Sequence, residues 1–226
     1  MTAETTLQQN LSSNLPFWDD LSDDQKRSLV RATRPLAAQA GDRVQGGGSG
    51  CAGVVVALTG SLRAYMLSET GKEITLFRVE PGESCVLAAS CILPMITFDI
   101  ALDAATDIEA LVIDPRYFSQ LAQECTAVEA FLYRQTAQRF SDCMWVMQQV
   151  LFASFDARLA TFLLDELARS GSPRVSMTHD EIARHLGSAR EVVSRMLKYF
   201  EREGLVRLSR GTVEIVDRRA LLALAS

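Results

Sequence analysis

The first regular pattern along the chain is helical and covers residues 14–34. Leu29 and Val30 supply an apolar face, and a polar cap precedes them, at Asp19 and Asp20 or at Ser22. We therefore predict a helix over these residues, ahead of the first strand.

The pattern changes over residues 35–115, where short β-prone runs are separated by glycine-rich or turn-like points. Strands at such spacing indicate an antiparallel sandwich or barrel. The glycine cluster at 46–50 lacks the helix and the lysine that a phosphate loop requires, so we interpret it as a mobile hairpin tip. The β-prone runs are 53–58, 61–66, 73–79 and 108–113.

A long helical pattern follows over residues 115–150, and Pro115 suits its first turn. Apolar residues recur in it at alternating spacings of four and three, which is a heptad seam. The seam consists of Tyr133, Ala137, Phe140, Met144, Met147 and Leu151. It could pack on the protein's own sheet, but so small a β domain cannot cover so long a helix. We therefore predict that it pairs with the same helix of a second copy.

Residues 151–226 predict three helices followed by a β hairpin. The first helix covers 156–170. Thr178 is expected to cap the second, over 180–186, in a capping box with Glu181, and Gly187 ends it. Ser188 is expected to cap the third, over 190–203. Runs at 206–208 and 213–216 flank a short turn and predict a wing.

Two helices joined by a glycine turn and followed by a wing indicate a helix-turn-helix that binds duplex DNA. Arginine can donate two parallel hydrogen bonds to guanine, and a carboxylate can accept one from cytosine. A solvated charged face is the alternative for an isolated helix, but the cap, turn and wing favour DNA. At 3.6 residues per turn, the helix over 190–203 presents one outer face, and Ser188 lies just before its start. The predicted DNA-binding residues are Ser188, Arg190, Glu191, Ser194, Arg195 and Lys198.

Charge supports this division of the chain. Residues 151–226 carry 12 basic against 10 acidic residues, whereas residues 1–150 carry 11 against 18. A locally basic segment on an acidic body fits a DNA-binding module attached to a regulatory domain. With no long apolar run and no secretory pattern, we expect a cytoplasmic protein without a membrane segment. Five cysteines, an odd number, fit thiols in a reducing compartment.

The recognition-helix run from Ser188 to Leu197, together with the segment from Thr178 to Ala183, resembles the CRP/FNR family of bacterial regulators, and the resemblance covers nearly the whole chain. It implies an α+β fold: an N-terminal helix and a β-roll like a cyclic-nucleotide-binding domain (1–114), a dimerisation helix (115–150) and a winged helix-turn-helix (151–226).

The resemblance also implies partners. Family members with Glu followed three residues later by Ser-Arg tend to recognise a TTGAT-like half-site, and Glu191, Ser194 and Arg195 have this arrangement. The expected site is an inverted repeat near TTGAT-N4-ATCAA, bound by a homodimer that contacts RNA polymerase.

The N-terminal domain (1–114) departs from the corresponding domain of the family members that bind cAMP. Those members hold the cyclic phosphate with a Gly-Glu and an Arg-Ser or Arg-Thr pair, and the corresponding pair here is Phe98 and Asp99. A ring and a carboxylate would repel a phosphate. The resemblance therefore argues against a cyclic nucleotide as the effector.

In the family members that bind cAMP, these phosphate ligands form a short cassette. Cys85 and Cys91 lie in the corresponding cassette here, which follows Glu83, and three interpretations of them stay open. They are core residues, a redox- or sulfur-sensing thiol pair, or ligands of an iron–sulfur cluster, alone or with Cys51 and Cys125. No cysteine precedes Cys51, unlike the oxygen-sensing members, whose cluster cysteines lie mostly near the N-terminus.

An enzyme is the contrasting class. Both histidines lie after residue 151, so the usual general base is missing from the rest of the chain. A thiol-dependent, peroxidase-like activity at Cys85 and a regulator without an effector are the alternatives. The sequence leaves open the effector, the target genes and whether the protein activates or represses.

Overall fold

A computed structural model of the chain describes residues 3–45, 53–87 and 100–225. The chain forms two compact units. The first comprises Met1–Met66 and Leu76–Cys143, and the second comprises Leu67–Thr75 and Met144–Ser226. The glycine cluster, Cys51, Cys91, Phe98 and Asp99 lie outside the described residues.

The first unit begins with separate helical segments instead of the single predicted one. Helix α1 (Ala3–Asn14) precedes a 3-10 turn (Trp18–Asp20) and helix α2 (Asp23–Arg31). Of the two predicted caps, Ser22 is the one that caps α2, and it does so in a reciprocal box with Gln25. The helical prediction was wrong beyond the end of α2, where Thr33 and Arg34 already belong to a strand.

The strands of this unit are β1 (Thr33–Ala38), β2 (Arg43–Gln45), β3 (Val54–Thr59), β4 (Leu62–Leu67), β5 (Glu73–Val79), β6 (Ser84–Cys85), β7 (Ala101–Ala104) and β8 (Ile108–Ile113). They form two four-stranded sheets, with the orders β1-β8-β3-β6 and β2-β7-β4-β5. The four predicted runs correspond to β3, β4, β5 and β8.

Strand β1 contains Pro35, which lacks the amide hydrogen that a central strand would use. It is tolerated because β1 lies at the edge of its sheet: of the described strands it pairs only with β8, and Pro35 stands opposite Leu111.

The predicted helix over 115–150 is two helices, α3 (Pro115–Glu124) and α4 (Thr126–Phe152). Asp114 caps α3, and the chain is extended at Cys125 between the helices. This break lets both helices bury apolar faces in one core. Phe118 of α3 and Phe131 of α4 pack edge to face with each other and with Phe17, at centroid distances of 5.1–6.5 Å.

Arg139 joins α4 to the β-roll through a buried charge. Its guanidinium lies 4.7 Å from the centre of the Phe77 ring and 3.2 Å from the Glu83 carboxylate. Asp142, on the next turn of α4, is 3.1 Å away. The side chain is only 7% exposed, so these partners stabilise a cation that has lost most of its contact with water.

The second unit contains the predicted helices and wing. The helices are α5 (Phe155–Ser170), α6 (His179–Leu186), α7 (Arg190–Arg202) and α8 (Arg218–Ala225), and the strands are β9 (Arg174–Val175), β10 (Val206–Ser209) and β11 (Thr212–Ile215). The sheet has the order β10-β11-β9, so the wing hairpin gains a third strand that the sequence did not indicate. Helix α8, also not predicted, packs on α5 and contributes Leu221 to the core.

Two glycines in turns of the chain have similar backbone angles but differ in the space around them. Gly60 and Gly71 both have left-handed φ, of +68° and +79°. A Cβ on Gly60 would lie 2.1 Å from the carbonyl oxygen of Asp107, whereas a Cβ on Gly71 meets open space. Gly71→Ala should cost about 1 kcal/mol of unfolding free energy, from backbone strain alone.

Gly60→Ala should cost about 3 kcal/mol or more, because the turn and the Asp107 carbonyl must separate. Urea unfolding of both variants measures the difference. Equal losses of unfolding free energy in the two variants would show that the Asp107 carbonyl leaves room for a Cβ at Gly60.

Candidate nucleic-acid interface

The capping box at the start of α6 fixes the first helix of the helix-turn-helix. The Thr178 hydroxyl accepts from the Glu181 amide, while the Glu181 carboxylate accepts from the amide of Thr178 at 2.6 Å. The hydrogen bonds that the Glu181 carboxylate accepts from the Thr178 amide and hydroxyl lower its pKa below the usual value. Gly187 ends α6 at φ +62°, so the predicted cap and end of this helix are confirmed, although the helix begins one residue before the predicted Asp180.

Helix α7 has one buried and one exposed face. Val193, Leu197 and Phe200 are buried in the core of the unit. The other face is polar, as the helical spacing indicated: Arg190, Glu191, Arg195 and Lys198 are exposed and Ser194 is half-buried. The structure therefore brings these predicted residues together on one surface. Their contact with DNA stays a prediction.

Ser188 does not cap α7, and that expectation was wrong. The N-cap is Ala189, whose side chain has no oxygen, and the Ser188 amide instead closes the end of α6 by donating to the Ala183 carbonyl at 2.9 Å. The tight turn after Gly187 uses Ser188 to finish one helix, so the next helix begins a residue later. Ser188 is half-buried within this turn.

The wing adds an arginine that the list of predicted DNA-binding residues lacks. Arg210 is exposed in the turn between β10 and β11, where its neighbour Gly211 has φ +70°. Nearby, Arg207 pairs with Glu214 across the hairpin at 3.0 Å. The signal in the sequence was an arginine next to glycine at the tip of a predicted hairpin.

The two histidines make different contacts. Nδ1 of His179, in the first turn of α6, lies 2.8 Å from the Ser194 hydroxyl of α7. Nδ1 of His185 lies 2.8 Å from the Thr75 hydroxyl, and its ring is 5.3 Å from that of Phe162. Fifteen residues separate His179 from Ser194, so no local sequence pattern could have revealed their hydrogen bond.

The seam of α4 faces away from the core. Its inner face is buried through Val128, Phe131, Leu132 and Arg139. The opposite face leaves Tyr133 63% exposed and Phe140 64% exposed, and Met147, Leu151 and Phe152 follow it to the end of the helix, all exposed. Ala137 is also exposed and Met144 is half-buried, so the described residues of the single chain leave most of this seam uncovered.

The structure describes some of the cysteines for which a sensory or cluster role was predicted. Cys85 is fully buried in β6, where it stands opposite Val55 of β3. Cys125 and Cys143 are half-buried thiols, and burial followed by the charge of Asp142 raises the pKa of Cys143. Cys51 and Cys91 lie outside the described residues, so the disulfide and cluster interpretations stay predictions. Within 3–45, 53–87 and 100–225, no three His, Cys, Asp or Glu side chains gather as metal ligands.

Across those same ranges, no helix is long and apolar enough to cross a membrane.

Comparisons with known proteins match the helix-turn-helix to a family model and nearly the whole chain to a solved structure. Residues 157–224 match the Crp-like helix-turn-helix domain. A Crp/Fnr-family protein from Eubacterium rectale has a similar crystal structure, with a TM-score of 0.90, 37% sequence identity, and coverage of 94% of this chain and 98% of that one.

Two curated relatives match most of the chain. The transcriptional activator protein Anr of Pseudomonas protegens is 29% identical over 95% of this chain and 87% of its own length. The cyclic AMP receptor protein of Thermus thermophilus is 29% identical over 74% of this chain and 76% of its own length. The first is by name a transcription regulator and not an enzyme, which agrees with the expectation from the missing general base.

The chain consists of a β-roll, a long helix and a winged helix-turn-helix, and it is similar over 94% of its length to a solved Crp/Fnr protein. This protein therefore belongs to the CRP/FNR family of transcription regulators.

Proposed function

We propose that the protein binds an inverted repeat near TTGAT-N4-ATCAA as a homodimer, with the polar face of each α7 in a major groove. The observation that carries this proposal is the division of α7 into a buried apolar face and an exposed face with Glu191, Ser194 and Arg195 side by side. A helix held in this way presents these side chains as a rigid set.

The chemistry of the exposed face fits base recognition. Arg195 can donate two hydrogen bonds to O6 and N7 of guanine, and the Glu191 carboxylate can accept from a cytosine or adenine amino group. Lys198, and Arg210 on the wing, are cations suited to phosphates, which contribute affinity without sequence preference.

The homodimer is supported by the exposed seam of α4. Isolated apolar side chains on a surface are ordinary, but a continuous stripe from Tyr133 to Phe152 is typical of an interface. A two-fold dimer presents two copies of α7 related by symmetry, as an inverted repeat requires. By family resemblance, the bound dimer contacts RNA polymerase.

Glu191→Ala and Arg195→Ala should each weaken binding to the TTGAT repeat by about 1–3 kcal/mol and relax the preference at one base pair. Arg202→Ala is the matched control, because Arg202 lies in the last turn of the same helix. Fluorescence anisotropy with operator and random duplexes at fixed salt measures both effects. If Glu191→Ala loses as much affinity for random DNA as for the operator, Glu191 does not recognise a base.

Phe140→Glu with Met144→Glu should convert the protein into monomers that no longer bind the operator, since like charges would face each other across a buried seam. Gln138→Glu is the control, because it adds a charge on an exposed turn of α4 outside the seam. Sedimentation velocity at micromolar concentration reports the oligomeric state. A wild-type protein that sediments as a monomer with and without DNA would end this hypothesis.

We further propose that thiol chemistry at Cys85 changes operator affinity. Cys85 lies two residues after Glu83, and the Glu83 carboxylate pairs with Arg139 of α4 at 3.2 Å. A covalent change in β6 would therefore act close to an ionic link to the helix that carries the seam. Hydrogen peroxide could oxidise the Cys85 and Cys91 thiols to a disulfide, with the release of two waters.

Oxidised wild type should differ at least several-fold from reduced wild type in operator affinity, and Cys85→Ser or Cys91→Ser should remove the difference. Cys143→Ser is the control, because Cys143 belongs to α4 and not to the cassette. Anaerobic titrations, with iron and acid-labile sulfide assays, separate a thiol switch from a cluster. Coincident curves for all forms, without iron or sulfide, would leave the cysteines as core residues and the protein as a regulator without this signal.

A further inference from the structure

The surface predicted to bind DNA contains a titratable group next to one of its own hydrogen-bonding side chains. Nδ1 of His179 lies 2.8 Å from the hydroxyl of Ser194. His179 is the first residue of α6, and Ser194 lies in the middle of α7, so this hydrogen bond joins the two helices of the motif across their turn. Both residues are half-buried and reach the surface that carries Arg190 and Arg195.

The ring has two ways to make this hydrogen bond, and each gives Ser194 a different role. If Nδ1 is unprotonated it accepts from the Ser194 hydroxyl, whose oxygen can then only accept from DNA. If Nδ1 carries a hydrogen it donates to the Ser194 oxygen, and the serine proton is free for an acceptor on DNA. The neutral ring does this only in its Nδ1–H tautomer, whereas the protonated ring always does. Phosphate oxygens, guanine O6 and N7 and thymine O4 are all acceptors, so bound DNA favours the second arrangement.

Charge determines when the ring is protonated. Burial, followed by the positive charges of Arg190 and Lys198 on α7, lowers the pKa of His179 below its ordinary value. On α6 the ring is followed by Asp180 and by Glu181, whose carboxylate is held by Thr178. The free protein therefore holds the ring neutral at pH 7. Nearby phosphates would neutralise the two cations and raise the pKa again.

We propose that His179 is a positioning residue of the DNA-binding site: it directs the Ser194 hydroxyl toward acceptors on DNA, and operator binding takes up a proton on its ring. This inference rests on the proposed DNA-binding face of α7. Because the pKa is higher in the complex than in the free protein, affinity increases as the pH falls through the interval between the two values. Each proton changes affinity by at most about tenfold per pH unit, and a dimer can take up two.

The chain has only two histidines, which provides a matched control. Operator affinity of the full-length reduced protein is measured from pH 6 to pH 8.5 at constant ionic strength. Wild type and His185→Asn should bind at least about threefold more tightly at pH 6 than at pH 8. His179→Asn should bind independently of pH, because its amide can donate to Ser194 at every pH but cannot titrate.

A second measurement separates positioning from a purely structural effect. His179→Ala should weaken operator binding about threefold to tenfold, as expected for one lost hydrogen bond. Because His179 acts through Ser194, the double variant His179→Ala with Ser194→Ala should bind as Ser194→Ala does. Thermal unfolding of each variant confirms that the domain is folded.

Three outcomes would overturn the inference: a pH dependence that persists in His179→Asn, a pH dependence that disappears in His185→Asn, or additive losses in the double variant. Glu191→Ala and Arg195→Ala, measured in the same assay, distinguish the two proposals. If both bind the operator like wild type, the DNA-binding face itself is wrong. If they lose affinity while His179→Ala does not, only the role of His179 is wrong.

Discussion

Helix α4 has apolar surface on two sides, and the described residues of its own chain cover one of them. The covered side packs Val128, Phe131 and Leu132 into the core of the β-roll, and Arg139 adds a buried charge with its partners. The other side leaves Tyr133 and Phe140 in contact with water. Each large apolar side chain that becomes buried contributes about 1.5–3 kcal/mol, so a second copy of the helix is a strong candidate for covering this side.

The same helix connects the proposed sensory and DNA-binding properties. Arg139 contacts the segment of the β-roll that leads through Glu83 to Cys85, so a change in β6 has a short path to α4. Such a signal needs only to favour one of two dimer arrangements by a few kcal/mol. The buried end of this ion pair suits the purpose, because leaving the Arg139 guanidinium unpaired is costly, whereas an apolar contact tolerates small displacements.

Most of the second unit could be predicted because its signals are local. The Thr178–Glu181 capping box and Gly187 set the ends of α6 through hydrogen bonds and dihedral angles that neighbouring residues determine. Strands β1 and β7 were missed because Pro35 and the Ala-Leu-Asp-Ala run have little β preference, and only pairing with other strands makes them extended. The break at Cys125 and the bond between His179 and Ser194 likewise depend on tertiary packing. Sequence spacing placed the polar face of α7, but it could not show which side chains on that face bind one another.

In the proposed complex, two α7 helices held by paired α4 helices recognise two half-sites together. Operator affinity as a function of half-site spacing shows whether they do. Lengthening the spacer between TTGAT and ATCAA by about five base pairs turns one half-site to the opposite side of the duplex. We expect affinity then to fall to that of a duplex with a single half-site, and we expect the addition of about ten base pairs instead to restore part of it. Equal affinity for the original repeat, the lengthened repeat and the single half-site would show that the two helices do not act together.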